Sequence, residues 1–214
     1  MQSNKIDKIN TNKNQCINVE LEYILKKDNV NWKTIDDWIE VSSQKNKNIK
    51  LQYFTKIPNE LIKDYAKVLE EIENAMPTEI EEPYYKVSVE NLRKEEKELE
   101  IANEEILSCV ALDDHGNIIG INRVFIINAD LTSIRQWQIG VTKSYQGKGI
   151  AKWLKANMYK KLFSDYPNLE SIGSDTHPSN SGMIKIMERM GFKYLHITRE
   201  YEDGRKVKKL ATNH

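Results

Sequence analysis

The feature that most constrains the fold of this chain is a short glycine turn between a predicted strand and a predicted helix. An apolar, strand-like segment at residues 137–141 precedes the turn Gln146–Ala151, and residues 152–158 follow it with the spacing of an amphipathic helix. A strand that turns through small residues into a helix leaves several backbone N–H groups without partners at the positive end of the helix dipole. The turn therefore predicts a site for a phosphate or pyrophosphate group.

The glycines of this turn, Gly147 and Gly149, have no Cβ that would keep a phosphate away from the backbone. Two glycines before a helix are a weak signal by themselves. The dinucleotide-binding fingerprint is excluded because a third glycine is missing at its spacing, and the P-loop because no Gly-Lys-Ser or Gly-Lys-Thr closes the turn. The pattern that fits is Gln/Arg-x-x-Gly-x-Gly/Ala, at Gln146, Gly149 and Ala151.

A second motif lies downstream, where Asn180–Met183 opens a helical segment that ends in Arg-Met-Gly-Phe at residues 189–192. Together the two motifs resemble those of the GNAT family of acetyl-CoA-dependent N-acetyltransferases, and the resemblance covers residues 48–203. It implies a mixed α/β fold, in which helices flank a central, mostly antiparallel sheet with splayed strands. It also implies acetyl-CoA as the cofactor and an amine as the acceptor.

The resemblance assigns cofactor contacts to three short segments. The strand before the turn would offer main-chain groups to the pantetheine arm and the acetyl carbonyl, the turn would hold the pyrophosphate, and the second helix would border pantetheine. The predicted cofactor-binding residues are Ile139, Gly140, Val141, Gln146, Gly147, Lys148, Gly149, Ile150, Ala151, Asn180 and Met183. Plainer roles stay open, such as strand packing for Ile139 and Val141 and helix capping for Asn180.

The groups for proton transfer depart from the family pattern. Many members carry an acidic residue on the strand before the turn, where this chain has Gln138, and a tyrosine as general acid where it has Met187. A glutamine cannot accept a proton as a carboxylate does, although it can orient a water molecule. Gln138 and His177 are the predicted catalytic residues, His177 because an imidazole titrates near neutral pH. A loop histidine without a catalytic role, and direct attack by an amine that is already deprotonated, stay open.

An acidic and aromatic loop at residues 78–85 is the predicted acceptor site. In the family, the segment between the first two helices borders the acceptor pocket, and carboxylates beside aromatic rings suit a cationic amine. The predicted substrate-binding residues are Glu79, Glu81, Glu82, Tyr84 and Tyr85. A solvated loop whose tyrosines pack on the domain is an equal alternative. The charged run at residues 90–105 is interpreted as the solvated face of a helix.

The chain is predicted to consist of an N-terminal extension, residues 1–47, and an acetyltransferase domain, residues 48–214. The extension has a polar lead, a strand at 18–25 and a helix at 31–44. We expect the domain to fold without the extension, at lower stability. Because the order of elements from residue 49 also resembles the second half of tandem acetyltransferases, the extension is either a remnant of a preceding copy or a plain addition.

Composition limits the partners of the chain. Lys and Arg number 32 and Asp and Glu number 32, so no net charge argues for nucleic acid. Two cysteines are too few for a disulfide framework, and no apolar run approaches membrane-spanning length. We expect a cytoplasmic monomer or homodimer without a metal site, which transfers acetyl groups to a small, cationic amine of unknown identity. The alternative is an acyl-CoA-binding module of the same fold that senses or scaffolds without turnover.

Overall fold

The computed structural model describes residues 15–79 and 84–210, in which helices cover both faces of one eight-stranded sheet. The elements in chain order are β1 (Cys16–Lys26), α1 (Trp32–Lys45), β2 (Lys50–Phe54), α2 (Ile62–Asn74), α3 (Val89–Ala102), β3 (Glu104–Leu112), β4 (Ile118–Ile127), β5 (Ser133–Val141), α4 (Ile150–Asp165), β6 (Ser171–Thr176), α5 (Ser181–Met190), β7 (Lys193–Tyr201) and β8 (Lys206–Leu210). The strand order is β2-β3-β4-β5-β6-β1-β7-β8. Neighbouring strands are antiparallel except β5 and β6, which are parallel. The predicted fold class is confirmed.

The helices form where apolar residues recur at helical spacing, and a polar side chain caps the start of α1, α3 and α5. Helix α2 buries one face, made of Ile62, Tyr65, Ala66, Val68, Leu69 and Ile72. The side chain of Asn31 accepts a hydrogen bond from the backbone of Thr34 at the start of α1, at 3.1 Å. Within the described parts of the chain, no helix is both long and apolar enough to cross a membrane.

The sheet separates two apolar cores, and strand β3 shows how one strand serves both. Leu107, Cys109 and Ala111 belong to the core beneath α1, α4 and α5, whereas Val110 and Leu112 belong to the core beneath α2 and α3. This alternation follows from the two-residue period of a strand. The sheet is therefore the middle layer of three.

The N-terminal strand lies inside the sheet. Strand β1 pairs on one side with β6, where Leu21 is opposite Thr176, and on the other with β7, where Leu21 is opposite Ile197. The following loop meets the end of α5 so closely that a Cβ on Gly191 would lie 1.9 Å from the carbonyl oxygen of Asn29. The predicted boundary at residue 47 thus divides strands of one sheet, and the independent folding of residues 48–214 stays a prediction.

Strands β5 and β6 separate after a short stretch of pairing. Residues 133–135 pair with residues 171–173, and no later residue of β5 pairs with β6. On the other side, Asn122 pairs with Ile139 and Val124 with Gln136, so that Trp137 and Gln138 together stand opposite the single residue between them on β4. A bulge of this kind bends its strand. The result is a V-shaped gap between β5 and β6, the splayed arrangement that the sequence predicted.

Candidate active site

The gap between β5 and β6 opens into a cleft of about 860 Å³. Side chains from four elements around it include Gln138 and Ile139 on β5, Asp175 on β6, Glu73 on α2 and Glu20 on β1. Small-molecule sites in proteins are commonly clefts of about this size, in the range ~300–1,000 Å³. The cleft is thus large enough for a cofactor arm and a small acceptor together.

The cleft brings together residues that the sequence placed in three separate predicted groups. The predicted site residues that line it are Tyr85, Gln138, Ile139, His177, Asn180 and Met183. Glu79, from the predicted acceptor loop, reaches the same place through an ion pair with His177, in which Oε1 lies 2.9 Å from Nε2. Residues from the predicted cofactor, catalytic and acceptor groups therefore share one cleft, whereas Gly140, Val141 and the turn Gln146–Ala151 are not part of its lining.

His177 links the acceptor loop to the loop before α5. Its Nδ1 accepts a hydrogen bond from the backbone N–H of Ser179 at 3.2 Å and lies 2.8 Å from the hydroxyl of that residue. With Nδ1 as an acceptor, the neutral ring carries its proton on Nε2, which then donates to Glu79. In this arrangement both ring nitrogens are engaged. The contacts show His177 as a clamp between two loops, and its catalytic role stays a prediction.

The glycine turn has the backbone geometry that the anion-site prediction requires. Gly147 has φ of 74° and Gly149 φ of 81°, a region that other residues rarely adopt. Gly149 is the N-cap of α4, a helix of 16 residues, so the turn points backbone N–H groups outward at a positive helix end. A Cβ on Gly147 would have no heavy atom within 4 Å, because the turn is open on that side. These features fit a pyrophosphate group.

The side chains of the turn and of Asn180 have defined neighbours. The amide of Gln146 donates to the carbonyl of Val141 at 3.3 Å, and the Lys148 ammonium lies 4.3 Å from the ring centroid of Tyr145. Asn180 Oδ1 accepts from the backbone N–H of Met183 at 3.2 Å, so Asn180 is the cap of α5. The direct contacts of these residues to a cofactor stay predictions.

Glu73 is a functional candidate that the sequence analysis missed. It lines the cleft, and its carboxylate accepts a hydrogen bond from the side chain of Gln138. Burial raises the pKa of the Glu73 carboxyl, while the hydrogen bond from Gln138 and the positive charge of Arg123 act in the opposite direction. Helix α2 comes this close because Gly140 has no side chain: a Cβ there would lie 2.6 Å from Cγ1 of Ile72.

A buried arginine holds Gln138 in place. Arg123 on β4 is 4% exposed; its Nη1 donates to Oε1 of Gln138 at 3.1 Å, and its Nη2 forms a short ion pair with Glu95. Its guanidinium also lies 5.6 Å from the ring centroid of Trp137. The charged run at residues 90–105 is predicted to be a solvated helix face. Glu95 on α3 is an exception, because it balances the buried charge of Arg123.

Carboxylates make up much of the polar lining of the cleft. Asp175 pairs with Arg135 at 2.7 Å, and Glu22 lies 3.5 Å from the same guanidinium. Burial raises the pKa of Asp175, the charge of Arg135 opposes this, and Glu20 and Glu22 raise it further. Glu73 and Glu200 line the cleft as well. Among the described residues, the lining thus carries four carboxylates and one guanidinium, and Glu200 pairs in addition with Lys206 at 3.1 Å.

The predicted acceptor loop is partly described. Glu81 and Glu82 lie outside the described residues. The exposed hydroxyl of Tyr84 donates to Glu70 at 3.0 Å. The backbone N–H and carbonyl of Tyr85 are both held by the side chain of Asn74, each at 2.8 Å, which fixes the point where the loop returns to the domain. Of this group, Tyr85 and Glu79 reach the cleft or its rim.

A fully buried lysine lies beneath the floor of the cleft. The ammonium nitrogen of Lys155 on α4 is 3.3 Å from Oε1 of Gln136, which also accepts from the hydroxyl of Tyr159 at 2.9 Å. Burial lowers the pKa of Lys155 to about 7, and the negative charge of Asp175 acts against this. The hydrogen bonds of Lys155 and Tyr159 fix Gln136 at the start of the bulge in β5.

Comparison with known proteins assigns the family. The sequence profile of the acetyltransferase (GNAT) family matches residues 68–192, more than half of the chain and the part that includes the glycine turn and α5. The chain belongs to this family, and the predicted enzyme class, an acyltransferase, is confirmed at the level of the family. No curated protein sequence matches the chain significantly.

Solved structures of similar fold include several members of the same family. A tandem GNAT protein from the clavulanic acid biosynthesis pathway has a TM-score of 0.64 and 14% identity, with 83% of this chain and 50% of that chain covered. A GCN5-related N-acetyltransferase from Sphaerobacter thermophilus has a TM-score of 0.56 and 14% identity, with coverage of 91% and 52%. Spermidine N-acetyltransferase from Vibrio cholerae, in complex with CoA and spermine, has a TM-score of 0.52 and 23% identity, with coverage of 68% and 81%. The chain spans about half the length of the first two of these proteins. At identities this low, the similarity shows a shared fold and no more.

Proposed function

We propose that this protein is an acetyl-CoA-dependent N-acetyltransferase whose acceptor is a small cationic amine. The observation that carries the proposal is the cleft between β5 and β6, whose lining combines predicted cofactor residues with several carboxylates. Membership of the acetyltransferase family supports acetyl transfer as the reaction. A similar fold occurs in a spermidine N-acetyltransferase in complex with CoA and spermine, which supports a polyamine-like acceptor.

In this proposal the chain holds the cofactor mainly through its backbone. Acetyl-CoA supplies the activated acetyl group as a thioester. The turn from Gln146 to Ala151 binds the pyrophosphate through N–H groups at the start of α4, and the edge of β5 at Ile139 and Val141 meets the pantetheine arm. Because β6 does not pair with β5 at these positions, β5 has an unpaired edge there for a ligand to meet; at Val141 the carbonyl already accepts from the side chain of Gln146.

The acceptor binds as a cation among the carboxylates of the cleft. Glu73 on α2 and Asp175 on β6 both line the cleft, so two amino groups of one acceptor could each meet a carboxylate. Tyr85 lines the cleft, and Glu79 reaches it through its ion pair with His177. Attraction between exposed charges weakens as salt screens it. A cytoplasmic location and a monomeric or homodimeric state stay predictions.

A direct test combines the purified protein with acetyl-CoA and a panel of amines. The panel contains spermidine, the aminoglycoside sisomicin, a monoamine and a neutral amide, and the readouts are free thiol and product mass. We expect thiol release with the polycations above that with the monoamine, and none with the amide. Equal release with and without every amine would contradict the proposal.

The second candidate function is a CoA-binding module without turnover. The observation in its favour is Met187, which is fully buried at the position where the family often has a tyrosine that protonates the leaving thiolate. A side chain without an acidic proton cannot do this. CoA binding measured by calorimetry, together with no thiol release for any amine, would select this alternative.

A further inference from the structure

Among the carboxylates that line the cleft, Glu73 has a distinctive environment. It lies on α2 against the bulged part of β5, where Gln138 occupies the position at which many family members have an acidic residue. The close packing of Ile72 on Gly140 sets the distance between α2 and β5. The carboxylate of Glu73 and the side chain of Gln138 therefore lie side by side in the lining of the cleft.

The hydrogen bonds of Gln138 fix which end of its amide faces Glu73. Its Oε1 accepts from Nη1 of Arg123 at 3.1 Å, and the guanidinium is itself held by Glu95 and lies against the ring of Trp137. With the oxygen engaged, the amide nitrogen is the end that donates to the Glu73 carboxylate. Glu73 is thus oriented by Gln138, and the position of Gln138 is fixed by its hydrogen bond with Arg123.

We infer that Glu73 is the general base that takes a proton from the acceptor amine, and that Gln138 is its positioning residue. Helix α2 then supplies the carboxylate that β5 lacks. This inference rests on the proposed function and deepens it. The raised pKa of Glu73 supports the role, because a base works best when its pKa is closer to the working pH.

The proton balance of the step is complete. A primary acceptor arrives as an ammonium ion with three N–H protons, and one of them passes to the Glu73 carboxylate. The freed lone pair attacks the thioester carbonyl carbon, so that an N–C bond forms and the C–S bond breaks. Of the two remaining protons, one stays on the amide nitrogen and the other ends on the thiolate as the thiol of CoA. Glu73 returns its proton to water.

The other titratable side chains of the cleft are less suited to this role. Asp175 is held by the guanidinium of Arg135 at 2.7 Å. Both ring nitrogens of His177 are engaged, one by Ser179 and the other by Glu79. Glu20 lies on β1 and accepts from the amide of Asn18 at 3.0 Å, and Glu200 is paired with Lys206 at 3.1 Å. Glu73 instead lies on α2, the helix that packs on β5, beside Gln138 at the strand whose edge is predicted to meet the acetyl carbonyl.

The experiment compares kcat, KM and pH profiles of matched variants with the best amine of the panel. Glu73→Gln keeps the shape and removes the base, Glu73→Asp keeps the base at a shorter reach, and Glu98→Gln is an exposed control on α3. General acid–base catalysis contributes ~10²–10⁴-fold, so Glu73→Gln should lower kcat by about 100-fold or more. The KM for acetyl-CoA should stay unchanged, and Glu73→Asp should recover part of the loss.

The pH profile separates a base from a merely structural carboxylate. The hydrogen bond from Gln138 lowers the pKa of Glu73, so Gln138→Leu should move the acidic limb of kcat/KM to higher pH. Glu73→Gln should remove that limb. If Glu73→Gln keeps kcat within about threefold of wild type with the same profile, the inference is wrong while the proposed function stands. If wild type binds CoA but acetylates no amine, the proposed function fails and the inference with it. Should Glu73→Gln not fold, an unshifted profile for Gln138→Leu would refute the inference.

Discussion

The cofactor turn offers a prediction in which backbone strain and ligand binding can be separated. Gly149, at the start of α4, and Gly116, in the turn between β3 and β4, have nearly the same φ, 81° and 82°. Any L side chain in this left-handed region costs roughly 1–2 kcal/mol. For a chain of this size, each kcal/mol lowers the unfolding midpoint by roughly 2–4 °C. Gly149→Glu and Gly116→Glu should therefore both unfold roughly 2–8 °C below wild type.

Only the variant at the helix start should lose cofactor affinity. A Cβ on Gly149 would lie 3.0 Å from Cε of Lys152, a flexible side chain that can swing aside, so the local steric cost is small. The new carboxylate instead stands where the pyrophosphate should lie, and it repels the ligand's charge. CoA affinity should fall by at least about tenfold, or roughly 1.4 kcal/mol. A Cβ on Gly116 would meet no heavy atom within 4 Å, and Gly116 is in the turn between β3 and β4, which is not part of the predicted pyrophosphate site.

The assay is isothermal calorimetry with CoA, paired with thermal unfolding of the same samples. The expected pattern is a similar loss of stability in both variants and a loss of affinity in Gly149→Glu alone. Two outcomes would refute the reasoning. Equal CoA affinity in wild type and Gly149→Glu would remove the pyrophosphate from this turn, and an equal loss in Gly116→Glu would show that the effect is strain rather than contact.

Three further predictions concern other parts of the molecule. Deletion of residues 1–47 removes β1 and α1 and should lower the unfolding midpoint. A fragment that still binds CoA would support the division at residue 47. An unfolded fragment would show that the deleted segment belongs to the core. The combined change of Glu79, Glu81 and Glu82 to Gln should raise KM for the amine at low salt and less at high salt; an unmoved KM at low salt would show that the loop does not select the acceptor. Burial lowers the pKa of Lys155 from 10.5 to about 7, so the folded state binds fewer protons between these values and stability should rise as the pH goes from about 7 towards 10. Lys155→Met should flatten this rise in a thermal-unfolding series, and an unchanged slope would contradict the assignment.

Local structure could be predicted from the sequence because it depends on short-range patterns. The glycine turn, its helix and the capping by Asn180 follow from residue types at fixed spacing, and the structure places them as expected. The strand predicted at residues 18–25 is also present, as the central part of β1. Its position between β6 and β7 could not be read from the sequence, because the choice of strand partners depends on packing between distant segments.

The role of Glu73 escaped the sequence analysis for a similar reason. An acidic residue on a helix whose other face is apolar is normally solvated, and nothing near Glu73 in sequence marks it as different. Its partner Gln138 is on β5, and the arginine that orients that partner is on β4. One signal was present: Gly140 interrupts a strand, which indicates close approach of another backbone or side chain. A glycine at this position indicates that another segment packs closely on the strand, but it does not identify that segment or its residues.

The measurement that tests the central claim most directly is the stoichiometry of acetyl transfer. Wild-type protein is incubated with acetyl-CoA and spermidine, and free thiol and acetylated amine are quantified together over time. We expect one acetylated amine for each thiol released, at a rate that rises with protein concentration and falls in Glu73→Gln. Thiol release without an acetylated amine, or bound CoA with neither product across the amine panel, would contradict this expectation.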